Sequence, residues 1–329
     1  AAPLRYPGPS VVLLGCEGCG IPAFWRALRT ERHLEGGGSL RVARTDRGEP
    51  SWRERAVQFA DREAKYALGA DWYLRRWPIP EGSLDVGIDG SASYLHSAEA
   101  ALRLPPLFAP HAKLVLVLSD PVTRAARLWR GDRPFAEAVY AEATALARCF
   151  EAVGERSGTA AGTSGVESLP SHGAWDRCTA VACGSRACPV GGGVYAPQLS
   201  GWLRTAPPTA SWLIMPAEAL TAPSGARYAL FRLGLKLSSP DCGSSDLSSV
   251  MWEALGTTIN ATDTIAAAVR AGGAGTARAH APVARRSSEA AGAGLGPAQA
   301  LLRVFFGRYN ADLEALLGRA DPASEALWR

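Results

Sequence analysis

A glycine-rich loop between a predicted strand and a predicted helix is the first place where residue types and spacing suggest chemistry. The apolar run SVVLLG at 10–15 is typical of a buried strand, GCEGCG occupies 15–20, and a helix is predicted from Ile21 to Leu28 with Pro22 in its first turn. Unpaired amides at a helix N-terminus, together with the helix dipole, attract phosphate groups. The sequence therefore predicts an anion-binding loop, with a structural turn that binds nothing as the alternative.

The spacing of these glycines limits which nucleotide the loop can hold. A Walker-type loop is excluded because the sequence contains no Gly-Lys-Ser or Gly-Lys-Thr triplet. The dinucleotide fingerprint is G-x-G-x-x-G, whereas this loop is G-x-x-G-x-G, although Asp46 lies at about the distance of a ribose-binding acid. A nicotinamide-dependent oxidoreductase stays open as one alternative.

Further short apolar runs predict the strands that must position this loop, and helical segments are predicted between them. The runs are Asp85–Ile88, Lys113–Leu118 and Ser211–Met215. Because strands and helices alternate along the chain, the predicted fold is a three-layer α/β fold with a central parallel sheet flanked by helices.

The 329 residues, 47% of them hydrophobic, are sufficient for one large domain, and we expect a single domain over 1–329. Richness in Gly, Ser and Thr predicts an irregular insertion at about 154–193, and a Gly/Ala-rich segment at about 271–297 predicts a flexible loop. An amphipathic helix from Leu301 to Leu317 is predicted to close the fold.

Charge and hydropathy exclude some classes of protein. The formal net charge is +4, from 35 basic and 31 acidic residues, and no long basic stripe occurs, so we expect no nucleic-acid partner. No apolar stretch of about 18 residues occurs, so we expect no membrane span in this chain. The start of the sequence does not resemble a signal peptide.

Cysteines and histidines are the remaining candidates for chemistry. Of the seven cysteines, Cys178, Cys183 and Cys188 are spaced by five, which leaves zinc, disulfides and free thiols open, although zinc sites usually show tighter pairs and a fourth ligand. The five histidines show no paired spacing, so none is assigned a catalytic role. We expect no metal site.

Six segments in chain order carry a family pattern. They are SVVLLGCEGCGIPAFWRAL, ERAVQFADREAKYALGADWYLRRWP, DVGIDGSASYL, PHAKLVLVLSDPVTRAARLW, GGGVYAPQLSGWLRTAP and LLRVFFGRYNADLEALLG. In this order they resemble the phosphosulfate loop, cleft segments, 3′-phosphate strand and later helices of the sulfotransferases that use 3′-phosphoadenosine 5′-phosphosulfate (PAPS). The similarity is to the Golgi carbohydrate sulfotransferases and the heparan N-sulfotransferase-like domains in particular.

The resemblance implies a sulfotransferase-like, P-loop-like fold and sulfuryl transfer from PAPS, as donor co-substrate, to a hydroxyl or amine of a carbohydrate. A glycan acceptor is the implied partner, and the Golgi lumen or secretory pathway is the implied location. In that compartment we expect at least one of Cys178, Cys183 and Cys188 to form a disulfide, and Asn260-Ala261-Thr262 is a candidate glycosylation site.

The resemblance also implies the site residues. Asp89 falls where the family carries its glutamate base, so it is expected to accept the proton of the acceptor group; the alternative is that it caps the segment after its strand. The implied donor-binding residues are Gly15, Cys16, Glu17, Gly18, Cys19, Gly20, Arg55, Ser119, Asp120, Arg124 and Arg127.

The sequence departs from the family pattern at positions that bind the donor or stabilise the transferred group. Gly18 stands where the family has its loop lysine, and Ile21 stands where it has the loop threonine. Ser119 and Arg127 stand where the family has an arginine and a serine, so either they have exchanged roles at the 3′-phosphate or Arg127 is a solvated helix residue. The alternative function is therefore a catalytically impaired pseudo-sulfotransferase that acts as a binding or structural subunit.

Overall fold

A parallel sheet of five strands organises the part of the chain that the computed structural model describes, which is 8–21, 40–42, 57–77, 86–91, 93–109, 111–156, 169–184, 188–217 and 287–320. The strands are β1 (Val11–Gly15), β2 (Leu40–Val42), β3 (Val86–Asp89), β4 (Lys113–Leu118) and β5 (Ser211–Pro216). Their order is β2-β3-β1-β4-β5, and every neighbouring pair is parallel.

The strand order makes β1 the topological switch point of the sheet. β1 pairs with β4 from Val11↔Lys113 to Gly15↔Val117, and on its other side it pairs with β3 through Val12↔Asp89. The chain thus leaves β3 on one side of β1 and crosses to β4 on the other. In open α/β sheets, ligands bind beyond the carboxyl ends of the strands at such a crossing. The loop after β1 lies at that edge.

Two cores fix the strands and the helices around them. β1 and β4 are apolar on both faces, as expected of central strands covered on two sides, and they form the centre of the first core. The second core lies among helices and includes Leu146, Trp175 and Phe306. A disulfide between Cys149 and Cys178 crosslinks two helices of that second core.

Eight α-helices lie in the described ranges, and side-chain caps mark the N-termini of three of them. They are α1 (Glu63–Tyr66), α2 (Ala70–Leu74), α3 (Ala98–Arg103), α4 (Pro121–Leu128), α5 (Phe135–Arg156), α6 (His172–Cys183), α7 (Tyr195–Thr205) and α8 (Ser287–Ala320). At the start of α4, Asp120 accepts the N–H of Thr123 at 2.7 Å, and Pro121 supplies a first residue that needs no N–H partner. Ser97 and Ser171 cap α3 and α6 in the same way. Within the described ranges no helix is both long and apolar enough to span a membrane.

Two loop predictions differ from the structure. The predicted irregular insertion at 154–193 contains the end of α5, all of α6 and a 3₁₀ turn at Gly191–Gly193, while 157–168 and 185–187 lie outside the described residues. The predicted flexible loop at 271–297 is helical from Ser287 onward, and 271–286 lies outside them. Both segments also contain many alanines, and alanine is the strongest helix former. Their glycine and serine content alone therefore did not indicate irregular structure.

Trp202 on α7 provides a test of the packing. It is fully buried, and its Nε1 donates to the carbonyl of Tyr94 at 3.2 Å, which joins α7 to the segment after β3. We expect Trp202→Ala to lower the free energy of unfolding in urea by about 3–5 kcal/mol, because it leaves a cavity. Tyr140→Ala, at an aromatic that is 62% exposed, is the control and should change it by less than about 0.5 kcal/mol. Equal effects would contradict the packing described.

Candidate functional site

The β1 loop, the end of β3 and the end of β4 meet at the carboxyl edge of the sheet, and most of the predicted site residues lie there. Asp89 is the last residue of β3, and Ser119 directly follows β4. Arg55 and Asp46 lie outside the described residues, as do Cys242 and Asn260.

The β1 loop is a tight turn with free backbone donors. Gly18 and Gly20 have φ of 82° and 78°, a region that other L residues rarely adopt. Cys19 N–H donates to the Cys16 carbonyl at 3.0 Å, whereas the N–H groups of Glu17, Gly18 and Gly20 have no acceptor among the described residues. Successive free amides in such a turn form an anion-binding concavity. The predicted loop chemistry therefore has the backbone groups it needs.

A disulfide joins Cys16 and Cys19 within this turn. Both sulfurs contact the hydroxyl of Tyr195, at 3.5 and 3.6 Å, and that hydroxyl donates to the Ser119 carbonyl at 3.0 Å. Tyr195 thus links the β1 loop to the end of β4. This disulfide was not predicted from the sequence, although the Cys-x-x-Cys spacing at a predicted strand-to-helix turn was a usable signal.

Arg124 of α4 holds the β1 loop against a second loop. Its side chain is fully buried, Nε donates to the Glu17 carbonyl at 2.8 Å, and Nη1 donates to the carbonyls of Cys188 and Pro189 at 3.2 and 3.0 Å. Burial lowers the pKa of this guanidinium. Nη2 lies against Gly192 and has no hydrogen-bond partner in the described ranges. The structure thus places Arg124 between two loops, inside the protein.

The other residues predicted to hold the 3′-phosphate differ in exposure. Ser119 is buried, while Asp120 is exposed and caps α4. Arg127 is exposed and lies one helical turn after Arg124. A Cβ on Gly18 would lie 3.1 Å from Cγ of Leu128, so α4 packs on the β1 loop through Leu128. Arg127, the residue before Leu128, is therefore an exposed cation on the helix that contacts the loop.

Asp89 is the centre of a buried hydrogen-bond network. Oδ1 accepts from the backbone and hydroxyl of Ser91 at 3.1 and 2.6 Å, and Oδ2 accepts from Tyr73 and Tyr94 at 2.8 and 3.2 Å. Burial raises the pKa of this carboxyl, and the four hydrogen bonds oppose that shift. Both oxygens are thus already engaged. The contact with the Ser91 N–H is the capping role that the sequence left open.

The network extends from Asp89 to the segment at 57–60. The Tyr94 hydroxyl accepts the N–H of Phe59 at 3.1 Å, and the Ser91 hydroxyl accepts the N–H of Gln58 at 3.0 Å. Gln58 has a φ of 51°, a strained value for a residue other than glycine. Through Ser91 and Tyr94, two of its three hydroxyl neighbours, Asp89 therefore fixes a segment that lies about thirty residues earlier in the sequence.

A second loop near Arg124 contains an acid and a disulfide. Glu142 of α5 accepts the N–H groups of Val190 and Gly191 at 2.9 and 2.8 Å, and burial raises its pKa. Ligand atoms of Glu142, Cys183 and Cys188 lie within 4.8 Å of one another. The two cysteines form a disulfide, so they offer no thiolates to a metal. The disulfides Cys149–Cys178 and Cys183–Cys188 confirm the predicted crosslinking of this region.

Comparison with known proteins supports part of the predicted family resemblance. No protein-family profile matches the chain. A stretch of 78 residues is 38% identical to the bifunctional heparan sulfate N-deacetylase/N-sulfotransferase 3 of Homo sapiens and 37% identical to that of Mus musculus. The stretch is 23% of this chain and 9% of each relative, so only a small part of either relative is represented. The chain is thus similar, over that stretch, to a protein with a sulfotransferase activity in its name.

The buried carboxyl of Asp89 makes stability depend on pH. Because its pKa is raised in the folded state, the stability that its proton contributes is complete below the unfolded pKa of about 4 and is lost as the pH rises through the folded pKa. We expect Asp89→Asn to lower the free energy of unfolding by about 1–3 kcal/mol at pH 4, with the deficit shrinking toward pH 8.

Urea unfolding at a series of pH values measures this deficit. Asp132→Asn, at an exposed aspartate after α4, is the matched control and should show little change at any pH. A deficit for Asp89→Asn that stays constant or grows as the pH rises would contradict the account.

Proposed function

We propose that this chain is a sulfotransferase-like domain that binds the phosphates of PAPS, or of its product 3′-phosphoadenosine 5′-phosphate, at the β1 loop. We further propose that it transfers sulfuryl slowly or not at all. The observation that carries the proposal is that the N–H groups of Glu17, Gly18 and Gly20, at the switch point of the sheet, have no acceptor among the described residues. The local similarity to a sulfotransferase supports the class of ligand.

Donor binding would combine backbone amides with one cation. The free amides of the turn suit a phosphate that approaches the carboxyl end of β1. Arg127 is exposed on α4, the helix that packs on this turn through Leu128, so its guanidinium is available to a second phosphate. Arg124 acts differently in this proposal: by fixing the Glu17 carbonyl it turns the loop amides outward, and so it is a positioning residue.

Weak transfer follows from what stands at Gly18. The family lysine would neutralise charge on the bridging oxygen as the sulfur–oxygen bond breaks, and loss of one such donor costs about 100–1,000-fold in rate. The positive φ of Gly18 and the close approach of Leu128 favour glycine at this position. The turn therefore has little space for a lysine side chain there. The amides alone would stabilise the leaving phosphate.

A second candidate is active sulfuryl transfer with Asp89 as general base, and the raised pKa of that buried carboxyl favours it. In that reaction Asp89 takes the proton of the acceptor hydroxyl or amine while the acceptor atom bonds to sulfur, and the sulfur–oxygen bond to the nucleotide breaks. Asp89 would first have to give up a hydrogen bond from Tyr73 or Tyr94, because both its oxygens are engaged.

A glycan acceptor and a secretory location complete the proposal. The relatives act, by their name, on heparan sulfate, so a polysaccharide of that type is the acceptor to try first. Disulfides persist in oxidising compartments, and the three in the described residues suit the Golgi lumen or secretory pathway.

Calorimetric titration with 3′-phosphoadenosine 5′-phosphate tests the binding site. We expect Arg127→Ala to weaken binding by about 10-fold or more, because a charge-assisted hydrogen bond contributes about 1.5–3 kcal/mol. Arg204→Ala is the matched control, since Arg204 is exposed about 14 Å along α7 from Tyr195, and it should leave affinity unchanged. Absence of binding to the wild type at millimolar nucleotide would overturn the proposal.

A transfer assay separates the two candidates. With labelled PAPS and heparan carrying free amines, we expect wild-type transfer to stay within a few-fold of that of Asp89→Asn. Rapid transfer by the wild type that is lost in folded Asp89→Asn would instead establish the second candidate.

A further inference from the structure

The Cys16–Cys19 disulfide lies inside the turn whose amides are proposed to bind phosphate. The crosslink closes a four-residue segment, and the two residues between the cysteines, Glu17 and Gly18, carry free N–H groups. The other disulfides join α5 to α6 and close the loop after α6, outside this turn. Of the three, this is the disulfide whose state would directly alter the geometry of the phosphate donors.

The surroundings of the two sulfurs suit the reduced pair as well as the disulfide. The Tyr195 hydroxyl commits its proton to the Ser119 carbonyl, so it faces the sulfurs with oxygen lone pairs. Disulfide sulfurs have no proton to donate to that oxygen, whereas a thiol does. Reduction therefore creates an S–H···O hydrogen bond at a position where the oxidised form has a contact without a donor.

The turn also favours departure of a thiolate. Backbone N–H groups without an acceptor among the described residues carry partial positive charge, and in this turn they would stabilise a thiolate. A stabilised leaving thiolate speeds thiol–disulfide exchange. Both sulfurs are buried, so a reductant reaches them only when the turn opens on the side of the exposed Glu17.

We propose that Cys16–Cys19 is a redox-active disulfide, reduced by a dithiol, and that its reduction weakens phosphate binding by the β1 loop. A thiolate of the dithiol attacks one loop sulfur and the other leaves as a thiolate. The second thiol of the reductant then resolves the mixed disulfide and releases the remaining loop sulfur. The dithiol is oxidised to a disulfide, two electrons reach the loop, and its two sulfurs take up two protons.

The effect on binding rests on the proposed function and follows from preorganisation. The disulfide restricts the turn to conformations near the one that presents the amides, and a bound nucleotide needs that conformation. Reduction should weaken affinity by roughly 10-fold. By linkage, bound nucleotide makes the disulfide harder to reduce by the same factor.

The experiment poises the full-length protein at a series of reduced-to-oxidised dithiothreitol ratios, then alkylates thiols and identifies them by mass spectrometry. We expect Cys16 and Cys19 to be alkylated in folded protein at ratios that leave Cys149–Cys178 intact. Titration with 3′-phosphoadenosine 5′-phosphate should then give about 10-fold weaker binding than in the oxidised protein. Cys16→Ala/Cys19→Ala should bind weakly at every ratio, while Cys149→Ala/Cys178→Ala, the matched control, should keep the redox response.

The two proposals fail in different ways. If oxidised protein does not bind the nucleotide, the proposed function fails, and the redox site is then judged by alkylation alone with Tyr195→Phe. Because that variant removes the oxygen that accepts from the thiol, its disulfide should need several-fold more reductant to open. Opening only upon unfolding, or equal nucleotide affinity before and after opening, would overturn the redox proposal.

Discussion

The buried guanidinium of Arg124 is the interaction on which the site depends. It joins the carbonyl of Glu17 in the β1 loop to those of Cys188 and Pro189, two segments that are far apart in sequence. Removing a cation from water is costly unless its donors find acceptors, and three carbonyls, with the nearby charges of Glu17 and Glu142, offset that cost here. Glu142 accepts the N–H groups of Val190 and Gly191, so Arg124 and Glu142 together fix the far loop through its backbone.

Asp89 has a comparable role on the other side of β1. Two tyrosines and a serine donate their hydroxyls to one carboxyl group, and two of these three hydroxyls also accept a backbone N–H from the 57–60 segment. Burial, followed by the charge of Asp89, raises the pKa of Tyr73 and Tyr94, which keeps both hydroxyls protonated as donors. The carboxyl end of β3 is therefore held by a buried hydrogen-bond network that includes two tyrosine hydroxyls.

The extent to which the sequence predicted this structure depended on how local each feature was. Lys113–Leu118 was predicted as a strand and is one with the same bounds, because an uninterrupted apolar run between polar ends identifies a central parallel strand. The helix at His172–Cys183 was missed because glycine and serine dominate the residues around it. The burial of Arg124 and the contacts of Tyr195 depend on segments more than 60 residues away, and no local pattern indicates such partners. The family pattern correctly predicted that Asp89 lies at the carboxyl edge of the sheet. It did not predict that both oxygens of Asp89 accept hydrogen bonds from neighbouring residues.

The backbone conformation of Gly18 limits which residues can replace it. A lysine substituted at this position would have to adopt a φ near +82°, and its Cβ would lie close to the side chain of Leu128. The left-handed conformation alone costs a residue other than glycine about 1–2 kcal/mol. A lysine at this position would therefore need compensating changes both in the turn and in the part of α4 that contains Leu128.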